Sequence, residues 1–234
     1  MVTIRRGDDR GHTTYGGWLD SRHAFSFGDY FDPAAMGFRS LRVLNDDRVA
    51  GGGGFPTHGH RDMEILSYVI EGALEHQDSA GGGGVIRPGE IQFMRAGSGV
   101  RHSEFNHSPD EPVHFLQIWI VPERQGLAPA YRQQAFDRAR AAAAPLLLAS
   151  RDGRDGSIAL AQDADVYTSR APEATTHRLP LAPGRQAWLQ VASGAITLGG
   201  ERLVAGDAAM VTDEPHLEWT GAAPDTDVLV FDLA

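Results

Sequence analysis

Three histidines and one glutamate stand at spacings that suit metal binding. They fall in two short pairs, His58-Gly59-His60 and His102-Ser103-Glu104. Residues i and i+2 of a β-strand point to the same face, so each pair can aim two donor atoms at one point. Two such strands facing each other can hold a divalent ion. The set offers three imidazole nitrogens and one carboxylate oxygen, a mixture that suits Fe(II), Mn(II), Ni(II), Zn(II) or Cu(II). In an octahedral shell it leaves two positions free, and open positions belong to catalysis or ligand exchange rather than to a structural site. Open sites built from two histidines and a carboxylate are typical of non-haem Fe(II) oxygen chemistry. One His-x-His is a weak signal; followed by His-x-Glu, with glycine turns beside both, it is a much stronger one.

Glu64 competes with Glu104. It lies four residues after His60 and reaches the ion if its strand turns inward; otherwise it serves as an acceptor that fixes a histidine tautomer. Spacing alone leaves both assignments open. His76, close to Asp78 and Ser79 after a glycine turn, is a candidate pocket residue or a surface-turn residue. His107 and His114 read as structural. His12, His23, His177 and His216 have no partner at ligand spacing.

Cysteine is absent, which excludes disulfides, thiolate zinc sites, cysteine-ligated iron–sulfur clusters and cysteine nucleophiles. Any metal is therefore held by His, Asp or Glu. The 234 residues carry a net charge of −10, and every basic residue other than histidine is Arg. That balance argues against direct binding to nucleic acid or to an anionic membrane surface. The N-terminal Met1–Arg6 runs into charge and glycine with no apolar signal-peptide core, and no stretch approaches the ~20 apolar residues of a membrane helix. The expectation is a soluble cytoplasmic protein.

The elements that must carry the donors are short apolar runs between glycine-rich turns, the pattern of an all-β protein. Leu41–Leu44, Ile65–Ile70, Val113–Val121, Trp188–Val191 and Val228–Leu233 are such runs. The runs Gly51–Gly54 and Gly81–Gly84 read as turns, since no strand-to-helix context or following Lys makes them a phosphate cradle. Pro129–Ala144, rich in Ala, Arg and Gln and stopped by Pro145, predicts a helix. A weak internal echo relates Leu66–Leu74 to Trp188–Ile196, and Pro88-Gly89-Glu90 to Ala205-Gly206-Asp207. It predicts duplicated β-barrels, with a metal-binding unit over 1–125, a connecting segment over 126–150 and a second unit over 151–234. Counting from Gly194 and Gly206 puts Pro180, Ala182, Gln186, Trp219 and Gly221 where the first half has His58, His60, Glu64, His102 and Glu104. The second unit is thus expected to be a copy without a metal.

The strings Pro56-Thr57-His58-Gly59-His60-Arg61-Asp62-Met63-Glu64, Gly72-Ala73-Leu74-Glu75-His76-Gln77-Asp78-Ser79 and Pro88–Glu104 resemble the pirin family of the cupin superfamily. Gln92-Phe93-Met94-Arg95-Ala96-Gly97-Ser98-Gly99 and His102-Ser103-Glu104 point to that family rather than to cupins at large. The resemblance runs from about Arg22 through Trp119. It implies a bicupin, two double-stranded β-helix (jelly-roll) barrels packed together, with one metal in the first, usually iron. It also implies His58, His60, His102 and Glu104 as ligands, which favours Glu104 over Glu64. Gly59 and Asp62-Met63 depart from the commoner family strings without touching a ligand.

Bacterial pirins close to this pattern imply quercetin 2,3-dioxygenase chemistry on a flavonol or related enol with O₂, giving a depside and carbon monoxide. Animal pirins imply the alternative, a metal- or redox-sensing regulator that works through a protein partner. In the enzyme reading Glu104, or Glu64, takes the substrate hydroxyl proton as general base. Phe25, Phe27, Phe93 and Met94, with His76, are then candidates for the pocket wall, around a pocket of ~300 Å³ or more.

Overall fold

A computed structural model describes residues 1–234. The first half runs through β1 (Val2–Arg5), β2 (Gly11–Tyr15), β3 (Leu19–His23), β4 (Leu41–Val49), β5 (Gly54–His60), β6 (Glu64–Glu71), β7 (Leu74–Asp78), β8 (Gly83–Ile86), β9 (Glu90–Arg95), β10 (Val100–Asn106), β11 (Val113–Ile120) and β12 (Ala130–Ala135). The helix α1 (Arg138–Ala143) leads into β13 (Leu146–Ser150), β14 (Ile158–Ala159), β15 (Ala164–Ser169), β16 (Thr176–Pro180), β17 (Gln186–Ser193), β18 (Ala195–Leu198), β19 (Glu201–Val204), β20 (Ala208–Val211), β21 (His216–Gly221) and β22 (Asp227–Leu233). Each apolar run of the sequence falls on a strand, and these strands are buried along nearly their whole length, as a sheet covered on both faces requires. No helix is long and apolar enough to cross a membrane.

The chain forms two units, Arg10–Phe136 and a second made of Met1–Asp9 with Asp137–Ala234. In the first, a seven-stranded sheet of order β12-β9-β6-β11-β4-β3-β2 accompanies a four-stranded sheet of order β5-β10-β7-β8. In the second, the orders are β1-β20-β17-β22-β15-β13-β14 and β16-β21-β18-β19. Strand for strand the pattern repeats: β6 matches β17, β9 matches β20, β10 matches β21. The glycines of the echo adopt matching backbones, Gly72 and Gly194 at φ +77° and +71°, Gly89 and Gly206 at +95° and +94°. A Cβ at Gly72 would meet the Pro112 carbonyl at 2.7 Å, so the turn needs glycine for space as well as for φ. Both barrels are cupin barrels, and the whole is a bicupin.

The structure corrects two boundaries. Met1–Asp9 does not belong to the first unit: β1 pairs with β20, taking the edge that β12 takes beside β9. The segment 126–150 is not a connector but contributes β12 to the first unit and α1 and β13 to the second. The predicted helix over 129–144 is therefore half strand. Residues 130–135 find an open sheet edge, and that pairing overrides helix propensity. The true helix begins at Asp137, whose carboxylate caps the Ala139 and Arg140 amides.

Candidate metal centre

The pairing of β10 sets the site. It lies between β5 and β7, with His102 opposite His58 on one side and Glu104 opposite His76 on the other. A β-bulge between His102 and Glu104 shifts the register against β5. The donor atoms of His58, His60 and His102 lie within 4.8 Å of one another, and those of His76, His102 and Glu104 form a second such triplet. His102 belongs to both. Of the four sequence-predicted donors, the three histidines form one group, and Glu104 joins it only through His102.

His58 donates its Nδ1–H to the Pro56 carbonyl at 2.9 Å, so its Nε2 carries the lone pair. That Nε2 lies 3.0 Å from His102 Nε2. Two nitrogens each about 2.1 Å from one ion and at right angles to each other stand about 3.0 Å apart, so this pair of nitrogens fits a divalent ion. His76 donates Nε2–H to Asp78 at 3.1 Å and receives the Gln92 amide at Nδ1, also at 3.1 Å. His102 Nδ1 is 3.3 Å from the same His76 nitrogen. His102 Nε2 is the nitrogen turned toward His58. Partners of this kind fix the tautomer of a ligating histidine.

Burial, then the neighbouring imidazoles, hold His60 down to about 4 and His102 down to about 2, so both are neutral at pH 7 with lone pairs available. Burial pushes Glu104 up to about 7 against hydrogen bonds from Ser67 and Gln117. Ser67 Oγ lies 3.2 Å from one Glu104 oxygen, and Gln117 donates to the other at 2.6 Å. Glu64 is elsewhere. It is fully buried and accepts from Arg95 Nε at 2.9 Å, outside both donor triplets.

Phe27 stands edge-on to Trp119 with centroids 5.3 Å apart, and Trp119 stands edge-on to His60 at 4.8 Å. Phe27 and Gly28 border two cavities, of 240 and 270 Å³. His58, His60, His76 and His102 line neither, and each cavity falls below the volume expected over the metal. Met94 is buried with Ile65 and Val100 against Met63 and Trp119. Phe25 is buried but borders neither cavity. Phe93 alternates away from Gln92 and Met94 and lies under the Arg95 guanidinium at 5.6 Å, so it forms no wall of either. Sequence reading missed Ser67, Gln92 and Gln117. The signal was present: each is a polar residue with an apolar neighbour on both sides in its strand, where burial demands a partner.

The pirin family profile matches residues 5–120, and that of the quercetinase C-terminal cupin domain matches residues 147–233. The chain belongs to the pirin family. It is 45% identical to the quercetin 2,3-dioxygenase of Escherichia coli K12, over all of this chain and 99% of that one. A putative quercetin 2,3-dioxygenase of Pseudomonas aeruginosa is 42% identical over the full length of both. The crystal structure of the bacterial pirin YhhW from Escherichia coli in complex with nickel(II) superposes with a TM-score of 0.92 at 43% identity, over 100% of this chain and 99% of that one. A divalent metal, oxygenase chemistry and a small-molecule substrate accord with this pirin's donor set and its relatives.

Proposed function

We propose that this pirin is a dioxygenase that cleaves a flavonol such as quercetin, or a related aromatic enol, with O₂. Its single centre is formed by His58, His60, His102 and Glu104 and works with Fe(II). One observation carries the ligand assignment: the 3.0 Å approach of two imidazole nitrogens, one with its tautomer fixed by Pro56. Bound there, a divalent ion supplies Lewis-acid polarisation of the enol oxygen. Glu104 is the group placed to take the enol proton, since its oxygens are buried and its hydrogen bonds hold it in one orientation. Trp119 and Phe27 exclude water beside His60. The Asp78–His76 pair orients His102.

The test is anaerobic reconstitution with Fe(II), followed by quercetin loss and carbon monoxide release under O₂, with His102→Ala as control. Metal-dependent turnover that disappears in the variant is the expected result. Stoichiometric iron without turnover would overturn the dioxygenase reading.

A further inference from the structure

A row of buried polar side chains crosses the seven-stranded sheet on the face that meets Glu104. Gln92 pairs with Ser67, Ser67 with Gln117, Gln117 with Asn45, and Asn45 with His23. The Glu104 end of this row is used by the metal centre. The other end is not, and it forms the floor of the 240 Å³ cavity. There His23 donates Nδ1–H to Asn45 Oδ1 at 2.8 Å and accepts at Nε2 from Thr13 at 3.0 Å. Asp47, two residues along β4 and 3% exposed, accepts from Ser21 at one carboxylate oxygen. Its other oxygen accepts nothing from the protein. The walls are Trp18, Phe27 and Phe55, with Trp18 and Phe55 edge-on at 5.2 Å.

Aromatic walls over a buried carboxyl with one unused oxygen recognise a flat apolar ring that carries a hydroxyl. A dry cavity of ~150 Å³ takes one benzene. The volume here therefore suits one substituted ring and not a three-ring flavonol. We propose that this cavity is a subsite for a hydroxylated aryl ring of the substrate, with the ring between Trp18, Phe27 and Phe55 and its hydroxyl on Asp47. The proposal rests on the reading that this barrel acts on an aromatic enol, and it adds which ring substituent the enzyme selects. Burial pushes the Asp47 carboxyl up to about 7, so near neutrality it both donates and accepts. An unpaired anion in such a site would be costly.

The experiment uses the metal-free protein, so that a catechol cannot bind by chelation. Catechol and toluene are titrated while the indole N–H signal of Trp18 is followed by NMR. Catechol is expected to saturate and to shift Trp18. Asp47→Leu, which removes both oxygens, weakens catechol about tenfold, the loss of one hydrogen bond to a buried group, and leaves toluene within about twofold. Leu19→Phe, which fills the same void, abolishes both. Absence of saturable catechol binding, or equal catechol affinity in wild type and Asp47→Leu, overturns the subsite whatever the metal-loaded protein does. Catechol binding that depends on Asp47, in a protein that never turns over quercetin, supports the subsite and removes only the dioxygenase reading.

Discussion

The two barrels share one strand lattice and fill it with opposite chemistry. Pairing of β7 with β10, and of β18 with β21, aligns Leu74–Asn106 with Ile196–Gly221. By that register His102 and Glu104 are matched by Leu217 and Trp219. His58 is matched by Leu179, opposite Leu217. His76, Ser67, Gln92 and Gln117 are matched by Leu198, Leu189, Ala209 and Val230. All seven replacements lie in one apolar core cluster. The lattice tolerates either a buried polar network, provided its members are hydrogen-bonded to one another, or close-packed hydrocarbon. Function in this fold is thus a substitution pattern on a fixed scaffold.

The largest effect that would break this contrast is on metal content. His58→Ala should take bound metal from about one per chain to none, read by elemental analysis after dialysis, with the fold retained because His58 lies at a partly exposed position. His177→Ala, in the second barrel, should leave the metal unchanged, since its two ring nitrogens serve Ser169 and the Ala142 carbonyl. A fully loaded His58→Ala protein would sink the ligand set.

Much of this contrast is legible in the amino-acid sequence. The paired ligands announce themselves because strand periodicity puts i and i+2 on one face, and the echo around Gly72 and Gly194 exposes the duplication. The position-by-position match is not legible. Counting from Gly206 lands on Trp219 for His102, whereas pairing puts Leu217 there. Met94 is matched by Val211, yet His102 lies eight residues after Met94 and Leu217 only six after Val211, and only strand register reveals the gap. The exchange of β1 into the second unit is hidden for a similar reason: Val2–Arg5 has no pattern that says which edge it will join. Phe93 misleads because an apolar residue in a doubly covered strand carries no sign of its face.

The second-largest effect belongs to the filled barrel. Trp219 is 1% exposed within its core cluster. Trp219→Ala should cost about 3–5 kcal/mol by urea unfolding, with metal binding in the first unit retained. An equal loss of metal on this substitution would show that the two barrels are not independent in function.

Next comes acid stability, where Asp46 of the first unit and Asp232 of the second differ in sign, although Asp47 and Glu104 of the first unit are raised by burial as Asp232 is. Burial alone would raise Asp46, but the hydrogen bond from His114 and the charges of His114, Arg10 and Arg48 outweigh it and hold the carboxyl at about 2. A depressed carboxylate stabilises the fold above its unfolded value near 3.8, and that contribution is lost as pH falls toward 2. It amounts to about 2 kcal/mol. Asp232 of the second unit is shifted upward by burial despite Arg185, so its contribution is present at low pH and declines as pH rises. Trp18 and Trp119 report the first unit, Trp188 and Trp219 the second. His60 and His102, held down by burial, also cost stability as pH falls. Between pH 4 and 2 the first pair of indole signals should therefore lose its native dispersion before the second, and Asp46→Asn should narrow that interval at a cost in neutral-pH stability. Simultaneous loss of all four signals in the wild type would refute the assignment.

The smallest expected effect decides between the two glutamates. Glu64→Gln keeps an oxygen that can accept from Arg95 Nε, so the cost is the charge rather than the hydrogen bond. Stability should fall by about 1–2 kcal/mol, and metal content and affinity should not change. Glu104→Gln keeps the shape of the side chain but leaves a neutral amide where the ion needs a carboxylate, and it forces an amide nitrogen against Ser67 or Gln117. Metal affinity should then fall by about 10- to 100-fold or more. If the two variants behaved the other way round, with metal lost from Glu64→Gln, the ion would have to sit toward Arg95 and His60. The polar row through Ser67, Gln117 and Asn45 would then have no centre to serve.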